Sequence, residues 1–118
     1  MAAILVVDDD KDTRELVSTM LESEGNSILT AANGVEAVAL YRTYPNQIDL
    51  IVTDMNMPVM GGVEEILSIR TTNPAAKVIC MTGDSEGQCP EGVMVLSKPF
   101  SLAELFEAVD GLLRHNVN

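Results

Sequence analysis

Five short apolar runs alternate with longer amphipathic stretches along the 118-residue chain. That alternation predicts a doubly wound α/β fold, with five parallel strands and helices on both faces of the sheet. Two further observations point the same way. The apolar runs lack polar alternation, which marks strands covered on both sides. The stretches between them carry apolar residues at helical spacing.

Ile4-Leu5-Val6-Val7 forms the first expected strand. Asp10 to Glu24 follows as a helix with Leu16, Val17, Met20 and Leu21 on one face, and Gly25 is placed to end it. Ser27 to Ala31 is the least apolar strand and is expected at the sheet edge. Asn33-Gly34 starts a second helix bearing Ala37, Val38 and Tyr41, which must stop before Pro45. Leu50-Ile51-Val52 is the third strand, closed by Thr53 and Asp54. Beyond Met57-Pro58, a third helix carries Val63, Ile66 and Leu67 on one face, with Gly61-Gly62 read as turn chemistry. Val78 to Met81 and Val93 to Leu96 are the last two strands. Ser101 and Glu104 then form a capping box for a helix in which Leu102, Leu105, Phe106, Val109, Leu112 and Leu113 recur at i, i+3, i+4, i+7. One link in the alternation fails. Residues 83–92 (GDSEGQCPEG) hold three glycines and a proline, and a helix of average length, about 11 residues, does not fit there. A loop or a single turn is expected, so the fourth helix is shortened or missing.

The length suits one compact domain spanning residues 1–118. Hydrophobic residues at 47% and charged residues at 21% suit a packed core rather than disorder. Seven Lys+Arg against 18 Asp+Glu give a net charge of −11, which argues against gripping nucleic acid or an anionic membrane. Cys80 and Cys89 have no CxxC or zinc-ligand spacing; Cys80 is expected to be buried and inert, and Cys89 an exposed loop thiol. A reducing compartment follows. No apolar run approaches the roughly 18 residues of a membrane span. The start MAAILVVDDD lacks the basic and longer apolar stretches of a signal peptide. The expected location is cytoplasmic.

The polar residues fall in a pattern. The first strand ends at Asp8-Asp9-Asp10, the third at Asp54, the fourth at Thr82 and the fifth at Ser97-Lys98. In an open parallel sheet the carboxyl ends of the strands share one edge, and ligands bind in the crevice outside it. Three or more carboxylates, a hydroxyl and an ammonium therefore converge from four strands. Two carboxylates about 4 Å apart repel by roughly 1 kcal/mol in water and roughly 4 kcal/mol at an effective dielectric near 20. Keeping Asp8, Asp9 and Asp54 ionised calls for a cation, and hard oxygen ligands with open positions suit Mg²⁺ together with a phosphate oxygen. Lys98 supplies a point charge for an anion, and Thr82 a hydroxyl donor. A carboxylate can itself capture a phosphoryl group as an aspartyl-phosphate. Asp54, on the central strand between the Asp8/Asp9 pair and Thr82, is the best candidate.

These residues resemble the receiver domain of two-component response regulators over essentially the whole chain. The likeness rests on ILVVDDD at 4–10, IVTDMNMPVMGG at 51–62, MTGD at 81–84 and SKPF at 97–100. The resemblance implies a flavodoxin-like sheet of strand order 2-1-3-4-5. It also implies that Asp54 takes a phosphoryl group from the phosphohistidine of a histidine kinase or histidine phosphotransfer protein and then switches binding to a downstream protein. By the same likeness Asp8 and Asp9 are the acidic pair for Mg²⁺, Asp9 the more direct ligand, and Asn56 lends its backbone carbonyl. Thr82 is the switch hydroxyl, Gly83 leaves room for it, Lys98 pairs with the phosphate, and the Lys98-Pro99 bond is cis. Two features depart from the family pattern. Val95 stands where an aromatic switch residue is usual, and the fourth helix, part of the usual output face, is lacking. The output surface is therefore expected around the first helix and the edge formed by the last strand and last helix.

Plainer readings stand beside these. Asp10 and Asp12 are read as negative charge at a helix N-terminus, and His115 as a favourable charge at a helix C-terminus. Met55, Met57 and Met60 are read as adaptable packing. The expected function is a signalling phosphoacceptor with at most slow self-dephosphorylation, not a metabolic enzyme. The alternatives are a non-phosphorylated interaction module of the same fold and a Mg²⁺-dependent aspartyl-phosphate phosphatase. The second normally needs cap segments that 118 residues cannot supply. A flavin carrier is disfavoured because the acidic loop would repel the flavin phosphate.

Overall fold

The computed structural model describes residues 2–55, 57, 60–83 and 89–114. Strands β1 (Ala3–Val7), β2 (Ser27–Ala31), β3 (Leu50–Asp54), β4 (Val78–Thr82) and β5 (Met94–Ser97) form one parallel sheet in the order β2-β1-β3-β4-β5. Helices α1 (Lys11–Glu22), α2 (Gly34–Thr43), α3 (Gly62–Thr72) and α4 (Leu102–Arg114) cover it. The strand order is the flavodoxin-like one, and β2 stands at the edge as its weaker apolar character implies.

The alternation of side chains divides the core into two layers. Ile4, Val6, Leu50, Val52, Ile79 and Met81 face α1 and α4. Their neighbours Leu5, Val7, Ile51, Val78 and Cys80 face α2 and α3. Both faces of β1, β3 and β4 are thus buried, which is why those strands carry no polar alternation. Full burial of each large aliphatic side chain contributes about 1.5–3 kcal/mol before entropy is counted.

Local chemistry sets the helix ends. Asn33 Oδ1 accepts from Glu36 N at 2.9 Å while Glu36 Oε1 accepts from Ala32 N at 3.0 Å. The expected capping box of α4 is formed, with Ser101 Oγ accepting from Glu104 N at 3.1 Å and Glu104 Oε1 accepting from Ser101 N at 2.9 Å. α1 stops at Glu22, two residues before the expected end, and Gly25 (φ 86°) turns the chain towards β2 in a left-handed conformation that suits glycine.

Several expectations are corrected. Leu16 of α1 and Val63 and Leu67 of α3 are exposed, not core. The inward stripe of α3 is Gly62, Glu65, Ile66 and Ile69, because the i, i+3, i+4, i+7 geometry places Glu65 inside and Leu67 outside. Leu102 of α4 is likewise exposed; Leu105, Ala108 and Val109 form its buried stripe, with Phe106, Leu112 and Leu113 half-buried beside it. β5 begins one residue later than expected, since the ladder pairs Ile79 with Met94 and Thr82 with Ser97. No helix joins β4 to β5 among the described residues. Val95 keeps 48% of its surface exposed, on the face of β5 opposite the buried Leu96, so β5 is buried on one face only. Gly62 is not a turn glycine. A Cβ there would meet Met55 Sδ at 2.7 Å and Met55 Cα at 2.9 Å, so glycine permits close approach of α3 to the end of β3.

Candidate functional site

Register carries the polar residues to one rim. Val7 pairs with Thr53 and Asp54 with Met81, so the residues that end β1, β3 and β4 emerge side by side. Carboxylate oxygens of Asp8, Asp9 and Asp54 lie within 4.8 Å of one another. Asp8 is 1% exposed and Asp54 6%, whereas Asp9 is open to solvent. Lys98 follows β5 and is tied to β4 by its amide, which donates to the Thr82 carbonyl at 2.7 Å. Its Nζ lies 3.3 Å from Asp54 Oδ1 and 3.7 Å from Asp8 Oδ2. The longer contact is ionic and not a hydrogen bond, so Asp8 Oδ2 is buried with no hydrogen-bond partner among the described residues. Asp8 Oδ1 accepts from the Asp10 amide at 2.9 Å, and Arg14 donates to the Asp8 carbonyl at 2.7 Å, fixing the start of the acidic loop.

Burial pushes the Asp8 carboxyl above its ordinary pKa, and the nearby Asp54 and Asp9 charges add to the rise; the Asp10 amide and Lys98 oppose it. One ammonium thus faces three carboxylates. The set is short of positive charge, one buried oxygen lacks a donor, and every offered ligand is a hard oxygen. Those three facts fit a divalent cation of the Mg²⁺ kind.

Thr82 ends β4 at the same edge, 1% exposed. Gly83 follows it, with no heavy atom of the described residues within 4 Å of the position a Cβ would take. The Lys98-Pro99 bond is cis, as expected. Asn56 and His115 lie outside the described residues. Asp10 caps α1, and its carboxylate accepts from the Thr13 hydroxyl at 2.6 Å, which holds its pKa below the usual range. The helix-start reading of Asp10 therefore agrees with its position. Cys80 is buried; Cys89, expected in solvent, is half-buried against the same core layer.

One residue near the site is not marked by the sequence pattern. Glu65 of α3 is 0% exposed, and its Oε1 accepts from the Thr53 hydroxyl at 2.7 Å, immediately before Asp54. Burial pushes its carboxyl up to about 8, Thr53 opposes the rise and the Asp54 charge adds to it. Glu65 is therefore a neutral acid at neutral pH, with Oε2 lacking a hydrogen-bond partner among the described residues. Its spacing from Gly62, Ile66 and Ile69 is the one signal in the sequence; its acidity masks it.

Fold and site together define a doubly wound domain whose ligand crevice is acidic and holds a single ammonium. Comparison with known proteins gives that class its family. Residues 4–110 match the response regulator receiver domain, and the chain belongs to that family. It is 34% identical over 113 residues to a response regulator receiver protein of Anaeromyxobacter sp. (strain Fw109-5), covering 91% of this chain and 47% of the relative. A receiver domain protein from Clostridium thermocellum superposes with a TM-score of 0.88 at 28% identity, over 98% of this chain and 97% of that one. A Borrelia burgdorferi CheX–CheY complex with BeF₃ and Mg²⁺ gives a TM-score of 0.88 at 29% identity, over 94% and 88%. The chain spans half or less of the curated relatives it matches. No helix among the described residues is long and apolar enough to cross a membrane.

Proposed function

We propose that Asp54 takes a phosphoryl group from the phosphohistidine of a histidine kinase or histidine phosphotransfer protein, with Mg²⁺ at the acidic rim. The modified domain then switches its binding to a downstream protein in the cytoplasm. The observation that carries this reading is the convergence of Asp8, Asp9 and Asp54, with Lys98 3.3 Å from Asp54. The carboxylates of these three acids would hold the ion, Asp9 the most accessible of them, and the Asn56 backbone carbonyl would complete the protein ligands. When bound, the ion neutralises charge on the transferring phosphoryl oxygens.

The chain's own residues do the rest. A carboxylate oxygen of Asp54 attacks phosphorus. The phosphorus–nitrogen bond breaks and its electron pair returns to the departing imidazole. Lys98 turns its ammonium from the Asp54 carboxylate to a phosphoryl oxygen, and the Thr82 hydroxyl donates to another, with space beside Gly83 for the group. Positioning and charge neutralisation supply most of the rate in such transfers. The product carries nearly two added negative charges. It shifts the conformational equilibrium only through contacts that differ between the two states, here those of Thr82 and Lys98. Turnover is a slow self-dephosphorylation and not metabolic catalysis.

Val95 cannot act as an aromatic relay, so the signal leaves by another route. The exposed Leu16 on α1, and Val95 and Leu102 along the β5–α4 edge, support partner docking there. Chemical-shift changes on phosphorylation should concentrate at those residues; changes confined elsewhere would remove this part of the reading. Incubation with acetyl phosphate and Mg²⁺, followed by intact-mass measurement, tests the chemistry. One added phosphoryl group that disappears in Asp54→Asn is expected. No mass gain would favour a non-phosphorylated interaction module, and a gain that survives Asp54→Asn would remove Asp54 as acceptor.

A further inference from the structure

We infer that Glu65 is a positioning residue for Asp54: from α3 it decides, through the Thr53 hydroxyl, how the backbone carbonyl of Asp54 is held. Thr53 Oγ1 lies 2.7 Å from Glu65 Oε1 and 3.1 Å from the Asp54 carbonyl oxygen, and all three residues are buried. A hydroxyl has one hydrogen, so Thr53 serves one of these two acceptors at a time. Which one depends on Glu65. A carboxylate has no hydrogen and takes that of Thr53, leaving the Asp54 carbonyl without this donor. A carboxyl fills the 2.7 Å contact, an ordinary O–H···O separation, with its own hydrogen. The Thr53 hydrogen is then free for Asp54, and donors run in a chain from Glu65 to Thr53 to Asp54. The same carbonyl meets α3 a second time, since a Cβ on Gly62 would lie 3.0 Å from it. A change in its hydrogen bonding is therefore felt where the chain leaves β3, at the residue whose side chain contacts Lys98.

The surroundings favour the carboxyl form. Glu65 is wholly buried, and among the described residues it has no cation within ion-pair distance and no hydrogen-bond partner for Oε2. A buried carboxylate without a cation is far costlier than a carboxyl. The pKa, pushed up to about 8 by burial, agrees. The ionisable groups that bear on Glu65 are the Asp54 carboxylate of β3 and the Cys80 thiol of β4. The side chains that β1 and α2 turn to this core layer are apolar apart from Tyr41, whose hydroxyl accepts from Asn73 at 3.0 Å; Cys89 packs on the same layer, and Glu64 beside it on α3 is exposed. Ionising Glu65 thus withdraws a donor from Asp54 and adds a negative charge facing it. The effect on phosphoryl acceptance, unlike the hydrogen-bond chain, rests on the proposed role of Asp54.

The test is carbon-13 NMR of the metal-free full chain between about pH 6 and 10, following the Glu65 carboxyl and Asp54 carbonyl carbons. In wild type both should move with one midpoint. In Glu65→Gln, whose amide offers a donor and does not ionise, the Asp54 carbonyl should stay at its low-pH position. In Thr53→Val the Glu65 carboxyl should titrate with the Asp54 carbonyl no longer following, and Thr53→Ser should restore the coupling. A wild-type Asp54 carbonyl that stays still throughout, or one that follows Glu65 in Thr53→Val, would overturn the inference. In a second arm, labelling by acetyl phosphate at saturating Mg²⁺ is compared in wild type and Glu65→Gln. The two rates should agree at low pH, and the variant should be several-fold faster at the high end of the range. A ratio that does not change with pH, with the coupled titration present, would overturn the effect on Asp54 chemistry alone. Absence of labelling in both proteins at every pH would instead count against the phosphoacceptor reading.

Discussion

Lys98 places its ammonium 3.3 Å from Oδ1 of Asp54, joining the end of β5 to the end of β3 across the intervening β4. It is the one cation within ion-pair distance of Asp54 or Asp8 among the described residues. Lys98→Met should therefore lower the rate of phosphoryl acceptance by roughly 10²-fold, the scale seen when one charge-stabilising donor is removed from a transfer site. Labelling kinetics with acetyl phosphate at saturating Mg²⁺ measure this. An unchanged rate would place the ammonium outside the reaction.

Divalent cation should stabilise the fold through the acidic rim. At a hundredfold excess over Kd the gain is about 2.7 kcal/mol, read as a rise in the denaturant midpoint at constant slope. Asp9→Ala should abolish most of the gain with little effect on the metal-free protein, because Asp9 is exposed. A metal-induced rise of equal size in that variant would contradict the proposed ligand set.

The metal-free protein should lose stability as pH rises from about 4.5 towards 8. Asp8 and Glu65 both have folded-state pKa values above their ordinary ones, Glu65 at about 8 against 4.5. Across that window Glu65 is ionised in the unfolded chain while still protonated in the folded one, so the unfolded state binds fewer protons and stability falls; the raised Asp8 carboxyl adds a contribution of the same sign. Above about 8 the Glu65 contribution levels off. Glu65→Gln keeps an acceptor for Thr53 and removes the titration. It should flatten the pH slope by on the order of 1 kcal/mol per unit and be more stable than wild type at pH 8. Urea unfolding at stepped pH checks the prediction.

Gly62 and Gly83 should respond oppositely to alanine. At Gly62 a Cβ falls 2.9 Å from Met55 Cα and 3.0 Å from the Asp54 carbonyl. Backbone must shift, at about 1–3 kcal/mol, and Asp54 shifts with it. At Gly83 no described residue comes within 4 Å of an added Cβ, so Gly83→Ala should fold with unchanged stability. Paired denaturation curves distinguish the two.

Most of the architecture is legible in the sequence because β1, β3 and β4 are buried on both sides, and a short, unbroken β-branched run is what such burial requires of a strand. The strand-end residues Asp8, Asp54, Thr82 and Lys98 are legible for a related reason: parallel strands deliver their carboxyl ends to one edge whatever the details of packing. Helix faces are less so. Leu16 and Leu67 look like core residues by hydropathy yet point outward, while Glu65 looks like surface and is buried, because a hydrogen bond from Thr53 and a proton on the carboxyl make burial tolerable. Cys89 lies in a stretch with no periodicity; only the folded chain brings it against the core layer under α2 and α3. Val95 is a β-branched residue of a strand and looks like core by hydropathy, yet it is 48% exposed on the face of β5 opposite the buried Leu96.

The most direct measurement is a crystal structure grown with Mg²⁺ and beryllofluoride. The expected map has beryllium on a carboxylate oxygen of Asp54, the ion held by Asp8, Asp9 and Asp54, and Lys98 moved onto a fluoride. A rim empty of both, with Asp54 turned away and Lys98 still on its carboxylate, would contradict the account.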